Sequence, residues 1–225
     1  MGRSLRIVIL IVNLALLIGL PTASQAFVGY LSSADGGILG NGNWIAGGTT
    51  RLDWIVTQNA DQTWHYDYTF SHPTGATSHL LFEVSRTFTS ANISNAVGDF
   101  RSFGVDWFGS EGGSNPLIPE NLYAVKFDGA LGTTTHVAFD SDRRPMWGDF
   151  YSKDGNAGGY GQNAAWNAGF LVNDTDPSDP AADGSIGNHL LVPDTVTTPI
   201  PEPTSILLLG GGLIGAAAAR KRKRA

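Results

Sequence analysis

The chain of 225 residues contains no cysteine, which removes disulfide scaffolds, cysteine nucleophiles and thiolate zinc sites in one step. Charged residues are scarce, at 15%, and the sequence has no His-Glu-x-x-His, no Gly-x-Ser-x-Gly and no complete EF-hand loop. Cations are rarest in the long middle of the chain. Between residues 27 and 200, Arg51, Arg86, Arg101, Lys126, Arg143, Arg144 and Lys153 are 7 cations against 19 acidic groups, a formal charge of −12 where the whole chain has −6. Such a body repels polyanions; nucleic acid is not a partner, and divalent cations and neutral sugars remain as ligands. No 3.6-residue apolar period is sustained and no fixed-period repeat is visible, which argues against bundles, solenoids and propellers. What is present is core material: 42% hydrophobic residues, including 6 Trp and 11 Phe, exclude a disordered chain.

The two ends differ from this body. An apolar run from Ile7 to Leu20 follows Arg3 and Arg6 and precedes Pro21 and the small-x-small site Ser24-Gln25-Ala26. That order predicts a secretory signal peptide over residues 1–26, removed by signal peptidase after Ala26. At the other end, Pro201-Glu202-Pro203 leads into an apolar segment from Ser205 to Ala219 and then Arg220-Lys221-Arg222-Lys223-Arg224. These cations hold that end cytoplasmic, and the apolar stretch, roughly 22 Å long as a helix, falls short of the ~30 Å hydrocarbon core. A temporary stop in the inner membrane suits it better than a permanent anchor. Two prolines keep Glu202 extended, as a protease cleft requires, and residues 192–200 read as a semi-rigid spacer.

The order Pro-Glu-Pro, short hydrophobic helix, basic cluster over residues 201–225 resembles the PEP-CTERM sorting signal. The resemblance implies an exported protein of Gram-negative bacteria, processed by an exosortase-type membrane protease and delivered to the cell surface or to an exopolysaccharide (biofilm) matrix. It implies nothing about what the body does.

Within the body, period-2 patterns predict strands. In Thr63 to Phe70, Trp64, Tyr66, Tyr68 and Phe70 alternate with His65, Asp67 and Thr69. Ser78 to Ser85 continues the style, and the intervening His72-Pro73-Thr74-Gly75 suggests a hairpin. Further strands are expected over Arg51 to Thr57, Leu122 to Asp128, Thr133 to Phe139 and Pro145 to Tyr151. With 29 glycines in the chain supplying tight turns, the expected fold is all-β, an antiparallel, jelly-roll-like β-sandwich over residues 27–191.

Two constellations carry possible chemistry. The loop from Asn173 to Gly184 offers Asp174, Asp176, Asp179 and Asp183 as oxygen ligands for calcium, the one cofactor the sequence raises; a solvated turn is the plainer alternative. A second acidic set comprises Asp140, Asp142, Asp149 and Asp154. On a single strand, Trp147, Asp149 and Tyr151 would share a face and, with Trp166, could grip a sugar ring; the alternative is that the rings are core. A carboxylate pair such as Asp67 and Glu83 would suit a glycosidase if adjacent strands held them. His65, His79 and His136 fall on polar strand faces and are expected to be exposed. The body is accordingly read as non-enzymatic, structural or adhesive, with a carbohydrate-binding module as the alternative and a polysaccharide hydrolase behind it.

Overall fold

A computed structural model describes residues 26–129, 132–155, 163–172 and 182–193. Of the expected signal peptide, residues 1–25 lie outside the described residues, as do residues 194–200 of the expected spacer and the whole sorting segment; Ala26 is in β1, and Val192 and Pro193 are in the last strand. Among the described residues no helix is long and apolar enough to cross a membrane.

Regular structure is almost entirely antiparallel β. One sheet orders its strands as β1 (Ala26–Ser32), β3 (Arg51–Gln58), β4 (Trp64–Ser71), β9 (Thr134–Ser141) and β6 (Ile93–Gly98). A second runs β2 (Ile38–Asn41), β12 (Ala164–Asn167), β11 (Phe150–Asp154), β5 (Thr77–Glu83), β8 (Leu122–Asp128) and β7 (Ser102–Phe108). A short ribbon pairs β10 (Pro145–Gly148) with β13 (Leu190–Pro193). The one α-helix among the described residues, α1 (Asn43–Ala46), is a single turn.

The two large sheets face one another through aromatic rings. Alternation along β4 sends Trp64, Tyr66, Tyr68 and Phe70 inward, where each is buried, while His65, Asp67 and Thr69 point away. The ring of Tyr68 lies 4.1 Å from that of Phe82 in β5, Phe139 lies 5.4 Å from Phe127 in β8, and Phe70 lies 6.0 Å from Phe150 in β11. Each pair joins one sheet to the other. Each fully buried ring contributes about 1.5–3 kcal/mol by leaving water. The polar tips are satisfied: Tyr66 donates to the Arg143 carbonyl and Tyr68 to that of Leu191, both at 2.8 Å.

Three expectations are corrected here. β4 and β5 are not a hairpin: each belongs to a different sheet, and the connection through His72 crosses between the layers. A period of two assigns a buried face to a strand and leaves its neighbours open, and here both flanks of β4 are taken by β3 and β9. The run from Pro145 to Tyr151 is two strands, since the chain leaves the β13 ribbon and enters the second sheet at Asp149. His79 is 2% exposed, because the second sheet is covered on its outer face as well. There Leu81, Leu122, Ala124, Tyr151 and Ala164 pack under Ile118 and Phe170, which explains the unbroken apolar run Leu80-Leu81-Phe82.

Candidate functional site

The switch at Asp149 is held by a buried polar cluster. Asn167, fully buried, donates its amide to Asp149 Oδ1 at 2.5 Å and to the Asn188 carbonyl at 3.0 Å, and accepts the Phe150 N–H at 2.9 Å. The Asp149 N–H donates to Glu83 Oε2 at 3.0 Å, and His189 Nε2 stands 3.7 Å from Asp149 Oδ1. These contacts fasten four chain segments at the point where one strand changes sheets. Trp147 and Tyr151, on either side, fall into different packing clusters: Trp147 is 5% exposed in the main core and Tyr151 is fully buried beneath the outer covering. The Tyr151 hydroxyl donates to the Pro116 carbonyl at 2.6 Å, and burial, helped by Asp154, pushes its pKa up. Trp166 is half-buried beside Tyr151. The four residues expected to grip a sugar therefore present no common face: two rings are covered and the carboxylate is enclosed.

The other acidic groups are also dispersed. Asp140 sits on the outer face of the first sheet, accepting from His65 Nδ1 at 2.7 Å, Asn95 at 2.7 Å and Asn59 at 3.3 Å. Its partial burial favours the protonated form, but these donors outweigh that and lower its pKa. Asn95 reaches it from a left-handed backbone (φ 52) at a break in the β6–β9 register. Asp142 accepts from Asn92, and Asp154 from Asn163. Asp67 accepts from His136 on the first sheet while Glu83 lies in the second, so that pair is not on adjacent strands. Asp183 accepts the Val28 N–H at 3.0 Å; Asp174, Asp176 and Asp179 lie outside the described residues. Among the described residues no three His, Asp or Glu converge as a metal site.

An open concavity exists elsewhere. The loop after β7 folds over the outer face of the second sheet and leaves a groove of about 430 Å³ between Phe108, Glu111, Ser114, Asn115, Asn121 and Lys126. A second hollow of about 330 Å³ continues it along Gly104, Asp106 and Asp128, with Phe108 and Lys126 common to both. Its mixture of amides, a hydroxyl, both charge signs and one aromatic edge suits a hydroxylated, weakly charged ligand. Beneath it His79 donates from Nε2 to Asn115 Oδ1 at 2.9 Å, and Asn115 in turn donates to the Gly109 carbonyl at 3.1 Å. Burial first, then Lys126 and Lys153, lower the His79 pKa to about 4, so the ring is neutral and fixes the loop by one oriented hydrogen bond. Trp107 also lines the groove and is 49% exposed, with Arg86 5.0 Å above its ring and Tyr123 at its edge. Sequence reasoning passed over Trp107. The alternation Phe103, Val105, Trp107 against Gly104 and Asp106 was the available signal.

Residues 199–223 match the family model described as the PEP-CTERM protein-sorting motif. Comparison with curated proteins and with solved structures finds no match. The motif is that of exported proteins targeted to an exosortase-type membrane protease and carried through the membrane to the cell surface.

Proposed function

We propose that this chain is a surface or extracellular-matrix protein whose body, a β-sandwich, serves a structural and adhesive role among exopolysaccharide chains and is not a catalyst. In this reading the signal peptide starts export, the segment from Ser205 to Ala219 halts it in the inner membrane, and cleavage near Pro201-Glu202-Pro203 releases the body outside. The observation that carries the proposal is the match of residues 199–223 to the sorting motif. The buried polar groups at Asp149 and His79 are engaged in fastening loops and strands, which supports a scaffold.

Contact with polysaccharide is assigned to the groove at Phe108, Asn121 and Lys126, in place of the buried Trp147 and Tyr151. The experiment is fractionation of producing cells followed by retention of the released protein on their own exopolysaccharide. Recovery in the surface fraction with retention, and without release of reducing ends, is the expected result. Protein confined to the inner membrane overturns the export reading. Surface protein that washes off the polysaccharide overturns the adhesive one, and reducing-end release makes the body a hydrolase.

A further inference from the structure

The edges of the two large sheets are treated unequally. At β1 the outer edge is met by the chain near Asp183, which accepts the Val28 N–H, while the Gly184 N–H donates to the Val28 carbonyl at 2.8 Å. β2 is only four residues long, and β6 is interrupted by the register break at Asn95. β7 differs from all three: Ser102–Phe108 pairs with β8 in unbroken register and, among the described residues, ends its sheet. A long, regular edge strand is a template for another strand, and folds that avoid pairing blunt such edges.

The direction of its backbone groups follows from one bond. The Val84 N–H donates to the Tyr123 carbonyl, so Tyr123 turns its backbone toward β5, and by alternation Leu122, Ala124, Lys126 and Asp128 turn theirs toward β7. Their partners Phe108, Asp106, Gly104 and Ser102 point inward, which leaves Phe103, Val105 and Trp107 with N–H and C=O directed out of the sheet. The Trp107 N–H is covered by its neighbour's carboxylate, Asp106 Oδ1, at 2.8 Å.

We propose that β7 is an interaction surface for a second copy of this chain, the two β7 strands pairing antiparallel about a twofold axis through Val105. That centre makes Val105 face its own copy as a hydrogen-bonded pair and joins Phe103 to Trp107 of the other copy twice, the Trp107 N–H exchanging its bond to Asp106 Oδ1 for one to the other copy's Phe103 carbonyl. On one face it sets each Phe103 beside the other copy's Trp107, a favourable cross-strand aromatic pair, with the two valines between. On the other face each Asp106 lies beside the other copy's Gly104 and never beside itself. A Cβ placed on Gly104 meets nothing within 4 Å, so the carboxylate has room. Arg86, over Trp107, and Arg101, next to β7, bring cations to this edge of an acidic body.

Because the chain lacks cysteine, single introduced thiols in the full-length protein report the pairing without background. Val105→Cys should cross-link to its copy about tenfold faster than Ser102→Cys, since facing residues approach to ~5.5 Å whereas the two Ser102 positions are about 20 Å apart along the strands. Gly104→Asp should lower the dimer fraction by opposing Asp106, and Gly104→Lys should raise it. Glycine there is outside the left-handed region, so both substitutions fit the backbone. Val105→Pro removes an outward N–H and leaves the β8 ladder intact; the dimer should be lost with the melting temperature kept. Wild-type protein that sediments as a monomer throughout the micromolar range, equal cross-linking at the two thiols, or Gly104 variants that shift in the same direction would overturn the proposal.

Discussion

Tyr68 and Phe82 stack across the two sheets, ring centroids 4.1 Å apart and planes 21° from parallel, and the Tyr68 hydroxyl continues on to the Leu191 carbonyl at 2.8 Å. One residue of β4 thereby ties β5, the next strand in the chain, to β13, whose Leu191 lies 123 residues further on. Burial raises the Tyr68 pKa well above that of a free phenol, so the hydroxyl remains a donor throughout the accessible pH range. Phe82→Ala should cost about 3–5 kcal/mol, the range for emptying an aromatic site in a close-packed core. Tyr68→Phe should cost less, about 1–3 kcal/mol, by leaving the Leu191 carbonyl without its donor. Urea unfolding of the two variants reads both values; a larger loss for Tyr68→Phe would show that the hydroxyl, not the stack, dominates.

A pH dependence follows from His79. Its folded pKa of about 4 lies below the ordinary histidine value of 6.5, so the unfolded chain binds the proton first as acid is added. Stability is therefore complete above pH 6.5 and falls as the pH drops toward 4, by up to about 1.4 kcal/mol per pH unit and roughly 3 kcal/mol in all. Lys126 and Lys153 strengthen the effect, while Asp128 and the Asn115 hydrogen bond oppose it. His72, stacked 4.0 Å from Trp44 and lowered chiefly by burial, acts in the same direction. His79→Gln keeps a donor for Asn115 and should flatten most of the slope in denaturant midpoints taken between pH 7 and 4. A wild-type profile already flat over that window would reject the assignment.

How much of this was readable depends on what each pattern specifies. β8 matches its expected bounds, Leu122 to Asp128, and β4 is displaced by one residue, because strict alternation marks a strand with one wet face. The same alternation says nothing about which strands pair, which is why β4 and β5 read as a hairpin and are found in facing sheets. β5 lost its polar face to the covering loop, so His79 read as exposed when it is enclosed. Trp147, Asp149 and Tyr151 share a face only on a continuous strand, and the break at Asp149 separates the rings. Short strands such as β2, β12 and β13, four residues each, give too little period to detect. The groove could not be read at all: it is made by residues 108–115 and Asn121 folding back over Lys126, a tertiary event.

At the β1 edge of the first sheet, Asp183 tests a structural role against a metal-binding one. Its carboxylate accepts the Val28 N–H, and Gly184 adds a backbone bond to the same residue. Asp183→Ala should lower stability by about 1 kcal/mol, whereas Asp183→Asn, which keeps an acceptor oxygen, should lose less. Thermal melts with EDTA and with calcium at matched ionic strength separate the roles. Loss of a calcium-dependent shift in both variants would make Asp183 a ligand.

Polysaccharide retention supplies the test of the groove. Phe108→Ala and Asn121→Ala should weaken retention by roughly threefold to tenfold each, through the lost ring face and the lost amide donor. Trp147→Phe, a change inside the core, should leave retention of the folded protein unaltered. The opposite ranking, with Trp147→Phe the more damaging, would restore the buried tryptophan to the binding surface.

Ala26 pairs with Thr57 and Phe27 with Val56, and the Phe27 ring is buried against Trp64 at 6.0 Å, so the Ala26–Phe27 bond is inside the β1–β3 ladder once the body has folded. Peptidases bind their substrates extended, and a strand already paired and packed is not offered to them. In the proposed reading cleavage at this bond precedes the docking of β1, so the chain is expected to be exported unfolded. Intact-mass measurement of the surface protein should give a first residue of Phe27 and an end near Pro203. Precursor refolded before exposure to signal peptidase should resist cutting, and the same precursor held unfolded should be cut. Equal cleavage of the two would place the signal-peptidase site elsewhere, and a stable surface form still carrying Arg220 to Arg224 would show that the C-terminal segment is an anchor.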